Sequence, residues 1–161
     1  MSLWAPRRRP STCSKEGAMA GDIGLGNIHH IRLTVTDIER SREFYTTFLG
    51  FNVAAEAPAS EDPKSDPSYP VLWGGCVMAK GNYLLGLRPV AKKGDRFDED
   101  RVGLDHLSFS VESRAALNEA IRLLDERGVS RGEVRELTSF GICVLPFRDP
   151  DNIQLELTSP L

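Results

Sequence analysis

The sequence predicts an α+β chain built from two copies of one unit, each a strand, a helix and three further strands. Three observations carry that reading. His30-Ile-Arg-Leu-Thr-Val35 aligns with His106-Leu-Ser-Phe-Ser-Val111. Asn82-Tyr-Leu-Leu-Gly-Leu87 aligns with Asn152-Ile-Gln-Leu-Glu-Leu157. Between these paired strands each copy carries an apolar stripe at helical spacing. The repeat superposes His30 on His106 and Gly86 on Glu156, so two histidines and one carboxylate take equivalent strand positions. Two His and one carboxylate with open positions form a ligand set for a divalent metal that must also hold a substrate.

The elements follow in order. Residues 28–36 alternate as a half-buried strand, with Ile31, Leu33 and Val35 on one face and His30, Arg32 and Thr34 on the other. On that pattern His29 faces away from His30. Thr36-Asp-Ile-Glu39 has the form of a capping box. The helix it opens places Ile38, Ser41, Phe44, Tyr45, Phe48 and Leu49 on one face, and Gly50 ends it. Residues 51–55 read as a strand. Residues 57–70 hold four prolines and read as a long polar loop, either mobile or a lid. Residues 71–79 and 82–88 read as strands joined at Lys80-Gly81. A charged connector, 90–102, leads to the second copy. There 105–111 is a strand and Ser113 a helix N-cap. Leu117, Ala120, Ile121 and Leu124 make the helical stripe, which ends at Gly128. A weak strand over 131–137, a better one over 141–147, the turn Arg148–Asn152 and a last strand over 153–158 complete it.

One face of each sheet is apolar and covered by its helix. The other is polar, and if the two polar faces curve together they form a cup. His30, Arg32, Thr34, Leu84, Gly86 and Arg88 would line it from the first copy, and His106, Ser108, Ser110, Gln154, Glu156 and Thr158 from the second.

Composition bounds the function classes. A chain of 161 residues suits one domain with a sizeable core. Its net charge of −3, with no basic stripe beyond Arg7-Arg-Arg9, argues against a nucleic-acid partner. No apolar run is long enough to cross a bilayer. Cys13, Cys76 and Cys143 are an odd set without paired spacing, which points to reduced thiols and a cytoplasmic setting. Residues 1–27 carry no period and read as a disordered or non-native extension; the domain spans 28–158, with modules at 28–89 and 103–158.

Three segments resemble the vicinal oxygen chelate superfamily of glyoxalases, bleomycin-resistance proteins and extradiol dioxygenases. They are residues 29–45 with Leu49-Gly50-Phe51, then Gly103-Leu-Asp-His-Leu-Ser-Phe-Ser-Val111, then Phe147-Arg-Asp-Pro-Asp-Asn-Ile-Gln-Leu-Glu-Leu157. The resemblance implies two βαβββ modules forming a U-shaped half-barrel around a metal. It assigns the ligands to His30, His106 and Glu156, and the metal to Fe(II) or Mn(II) ahead of Zn(II) or Ni(II). It also implies a homodimer acting on a small molecule. On the cup face, Arg32, Thr34, Ser108, Ser110, Gln154 and Arg88 are the candidate pocket residues.

The family's fourth ligand position falls on Gly86 or its neighbour Leu85, neither a metal ligand. That weakens a glyoxalase-type lyase or isomerase, which uses the fourth ligand. The three-ligand set resembles that of a dioxygenase, yet no spare histidine lines the cup, and Pro146 stands where ring-cleaving relatives carry Tyr. A thiol transferase lacks a clear cation loop in residues 137–141. A drug-binding resistance protein without metal is the non-catalytic alternative. The sequence thus predicts a metal-dependent enzyme whose reaction it leaves open.

Overall fold

The computed structural model describes residues 23–59 and 62–161. Residues 1–22 of the extension expected over 1–27 lie outside them. Two four-stranded sheets repeat one topology. The first has the order β1-β4-β3-β2, from β1 (Ile31–Thr34), β2 (Asn52–Glu56), β3 (Cys76–Lys80) and β4 (Tyr83–Arg88). The second has the order β5-β8-β7-β6, from β5 (Leu107–Ser110), β6 (Arg135–Leu137), β7 (Ile142–Arg148) and β8 (Gln154–Pro160). In each sheet the first strand lies parallel to the last, and the other pairings are antiparallel. A helix precedes the second strand of each: α1 (Ile38–Glu43), which runs on into a π turn over Phe44–Phe48, and α3 (Arg114–Glu126). These are the two βαβββ modules expected.

The register confirms the repeat residue by residue. Arg32 pairs with Gly86 across β1 and β4, and Ser108 pairs with Glu156 across β5 and β8. Gly86 is therefore the structural counterpart of Glu156. Leu85 is buried in the core, on the opposite side of the strand, and drops out as the counterpart.

One apolar core joins both modules. It runs from Leu33, Tyr45, Met78 and Leu87 in the first to Leu117, Leu124, Leu145 and Leu155 in the second, with Phe44 and Phe48 packed against it. Ser41 of α1 and Tyr45 of the π turn are fully buried, on the face expected of them. Gly50 ends the segment at φ 70°, a left-handed conformation that a side chain disfavours. Cys76 and Cys143 are buried free thiols, and burial pushes the Cys76 thiol up.

A polar knot also ties the modules, at the turn between β7 and β8. Asp149 Oδ1 accepts the backbone N–H groups of Asp151 (2.8 Å) and Ile153 (2.7 Å), and its Oδ2 accepts the Tyr45 hydroxyl (3.1 Å). Asp151 reaches across to Thr36, accepting its N–H at 2.8 Å and its hydroxyl at 2.5 Å, and pairs with Arg40.

Several local expectations are corrected. Thr36 is drawn off to Asp151, so Asp37 is the N-cap, its carboxylate accepting from Arg40 N at 3.1 Å. β1 begins only at Ile31, so His29 and His30 precede the strand and do not alternate across it. Residues 57–70 are not a plain loop: they hold a 3-10 turn at Pro63–Ser65 and enter α2 (Tyr69–Leu72), and Val71 is helical rather than extended. The β3–β4 turn is Gly81-Asn82, since Lys80 still pairs with Tyr83.

Ser113 is the N-cap of α3, accepting from Ala116 N at 3.3 Å. Ser113→Ala is expected to cost about 1 kcal/mol, and Ser113→Asp to keep most of it. Urea denaturation of the two variants reads the difference.

Candidate functional site

The polar end of the second module holds the most organised constellation. His106 lies just ahead of β5 and Glu156 in the middle of β8, the strand beside it. His106 Nε2 stands 3.9 Å from Glu156 Oε1. The other ring nitrogen, Nδ1, contacts Asp105 Oδ1. A ring whose Nδ1–H donates to a carboxylate presents Nε2 as a lone pair, the arrangement that orients and strengthens metal-binding histidines. Glu156 is itself positioned: its Oε1 accepts from Ser108 Oγ (3.0 Å) and Thr158 Oγ1 (3.1 Å), which contact each other at 2.6 Å. The Glu156 side chain is mostly covered, while His106 is more than a third exposed.

This pair suits a divalent cation. Two donors each about 2.1 Å from one ion span up to roughly 4.2 Å. The chain does not add His30 to the pair: among the described residues no group of three or more His, Cys, Asp or Glu side chains is placed to hold a metal ion. His30 instead lies beside His29, Nδ1 to Nδ1 at 3.0 Å, with the rings edge to face. It lines a cavity of about 550 Å³ together with Tyr83, Leu84, Ser108 and Phe109.

The other expected pocket residues fall into separate surroundings. Ser108 joins Glu156, as above. Ser110 lines a cavity of about 420 Å³ with Lys80 and Tyr83. Gln154 lines one of about 330 Å³ with Arg131, Arg135 and Arg148. Thr34 borders a groove near Thr36 and Asp151. Arg32 and Arg88 lie under α2: Arg32 Nη1 donates to Val71 O at 2.8 Å, and the Arg88 guanidinium stacks 4.0 Å from the Trp73 ring centre.

One contributor was missed from sequence. Asp105 was visible only as the neighbour of His106, and adjacency along a strand ordinarily puts side chains on opposite faces. Thr158 lies beside Glu156, as its place two residues on along the cup face implies. The other missing link was why position 86 is glycine. A Cβ there would lie 2.9 Å from Arg32 Nε, so the Arg32 side chain fills the space that a side chain at position 86 would take.

Fold and site together define a two-module member of the glyoxalase class. The chain belongs to the Glyoxalase/Bleomycin resistance protein/Dioxygenase superfamily, whose family model matches residues 27–157. It is 32% identical over 134 residues to the uncharacterized protein YwkD of Bacillus subtilis, covering 83% of this chain and 96% of that one. Among solved structures it is similar to a glyoxylase/bleomycin resistance protein/dioxygenase domain from Frankia sp. EAN1pec, with 29% identity, a TM-score of 0.66, and coverage of 85% and 93%. A fosfomycin resistance protein, FosX, from Listeria monocytogenes shares the fold at 15% identity, with a TM-score of 0.64 and coverage of 85% and 93%. Among the described residues no helix is long and apolar enough to cross a membrane.

Proposed function

We propose that this protein is a divalent-metal-dependent enzyme acting on a small organic substrate that chelates to a His30, His106 and Glu156 site. The observation that carries the reading is the His106–Glu156 pair, 3.9 Å apart on neighbouring strands, with Asp105 and Ser108 holding the two side chains in register. A metal there would act as Lewis acid and as template for the substrate. Nitrogen and oxygen donors with open positions favour Fe(II) or Mn(II) ahead of Zn(II) or Ni(II). The ligand set is dioxygenase-like, and Gly86 argues against a glyoxalase-type proton transfer that uses a fourth protein ligand.

Because His30 does not join the pair within one chain, the reading includes a homodimer in which a second copy supplies it. A symmetric pair would then hold two sites, each using both chains. The buried thiols of Cys76 and Cys143 fit a reducing, cytoplasmic setting.

The test is metal content. Protein supplied with Fe(II) or Mn(II) should bind about one ion per chain. His106→Ala and Glu156→Ala should each bind none while keeping the native circular dichroism. Full stoichiometry in both variants would overturn the assignment. Mixing His30→Ala with Glu156→Ala chains tests the shared site: a mixed dimer regains one complete site, whereas a site confined to one chain gains nothing.

A further inference from the structure

We propose that Arg32 and Arg88 form a subsite for the acid group of the substrate, a compact oxyanion such as a carboxylate or a phosphonate. The inference rests on the reading above, that the polar sheet faces meet the substrate.

Both arginines rise from the same face of the first sheet. Arg32 pairs with Gly86 and Arg88 with Thr34, so the two are diagonal neighbours across β1 and β4. Their charge is uncompensated. Arg40, Arg42, Arg114, Arg122, Arg131 and Arg148 each have a carboxylate partner. Among the described residues Arg96, Arg101, Arg127 and Arg135 have none but are exposed to water. Arg32 and Arg88 are half-buried, and their contacts are a backbone carbonyl and an indole. The Nε–H of each is buried without a hydrogen-bond partner. A buried donor left unmade costs about 1–3 kcal/mol, so two side by side call for an explanation.

The surroundings are shaped to hold these groups. Gly86 leaves the space that Arg32 crosses, and a methyl group there would meet Arg32 Nε at 2.9 Å. Trp73 closes α2 in the left-handed region, at φ 57°, which is costly for a residue with a side chain. That conformation accompanies the stacking of its ring on Arg88. The Tyr69–Trp73 segment therefore roofs the two guanidinium groups, and its hold on Arg32 is a single hydrogen bond to Val71 O. An oxyanion entering beneath or in place of this segment would supply charge-assisted bonds to both ε N–H groups. Planar guanidinium forks recognise carboxylates and phosphonates in this way. The site of the missing fourth ligand would thus serve to anchor the substrate instead of the metal.

Trp73 supplies the reporter. In a Trp4→Phe background it is the sole tryptophan of the chain. Metal-free protein is titrated with methylphosphonate and with acetate, following Trp73 emission. Phosphorus NMR line width of methylphosphonate gives a second measure independent of the indole. Saturable binding is expected for both anions, with acetamide inert. Arg32→Gln and Arg88→Gln should each weaken binding by about tenfold or more. Gly86→Ala, which displaces Arg32 without removing it, should also weaken it. Affinity equal to the parent's in both glutamine variants, or no saturation by either anion, overturns the proposal. His106→Ala should bind the anions as the parent does. Loss of the metal reading and loss of the anion subsite are therefore seen in different variants.

Discussion

Replacing Asp149 with alanine is expected to lower the stability of the chain by about 3–5 kcal/mol, among the largest effects of any single change. The substitution strips the partner from two backbone N–H groups, those of Asp151 and Ile153, and from the buried Tyr45 hydroxyl. Each is in or beside a site where water cannot replace the carboxylate, so the desolvation costs add. Tyr45 belongs to the first module and Asp149 to the second, so the loss also loosens the contact between them. Asp149→Asn should be far milder, because an amide oxygen still accepts both backbone N–H groups and the amide N–H can donate to the tyrosine oxygen.

The same pair of variants predicts a pH dependence. Burial pushes the Asp149 carboxyl up to about 6, against three hydrogen bonds that favour its charged form. The unfolded chain releases that proton near pH 4. The native state therefore holds a proton that the unfolded state has lost between about pH 4 and 6. The stabilisation from this group is complete below pH 4 and is lost as pH rises through 6, a change of about 3 kcal/mol. Urea melts of the parent and Asp149→Asn at pH 4.5 and pH 7 should show the parent losing its advantage at the higher pH. A constant difference across that range would contradict the assignment.

Gly75→Ala is expected to be comparably severe. An alanine Cβ there would lie 1.9 Å from the Leu87 carbonyl oxygen and 2.9 Å from Pro89 Cδ. Neither neighbour is the end of a flexible side chain. Gly75 is buried and its carbonyl accepts from Ala57 N at 2.9 Å, so the backbone cannot retreat without breaking that bond or the β3–β4 ladder that begins at Cys76–Leu87. A loss of about 3 kcal/mol or more follows, on the order of 10 °C in Tm for a chain of this size. Thermal unfolding measures it. A Tm within about 2 °C of the parent would show that the strand entrance yields more easily than its geometry implies.

The fold was legible because its signals are local and doubled. Alternation at Ile31, Leu33 and Val35, the stripe through Ser41, Tyr45 and Phe48, and their echoes in the second copy each follow from backbone geometry alone. Where competition between distant groups decides, the sequence misled. Thr36 has the form of a helix cap, but Asp151, 115 residues away, offers it a better-placed acceptor. Residues 57–70 are polar enough for a loop, yet their far end folds into α2, where the Val71 carbonyl and the Trp73 ring meet Arg32 and Arg88 of the first sheet.

The site divides along the same line. The equivalence of His106 with His30, and of Glu156 with Gly86, is a property of order along the chain and was present in the sequence. Sheet registers carried it unchanged into space, because pairing of the first strand with the last repeats in both modules. The tertiary structure decided how these positions are used. It set His106 and Glu156 3.9 Å apart and gave each a partner that holds it. It kept His30 out of that pair, and it filled the space above Gly86 with Arg32. Distances between groups on different elements depend on how sheets and helices pack, and packing depends on every residue in the core. A repeat in the sequence shows which side chains correspond; only the packed chain determines which of them meet.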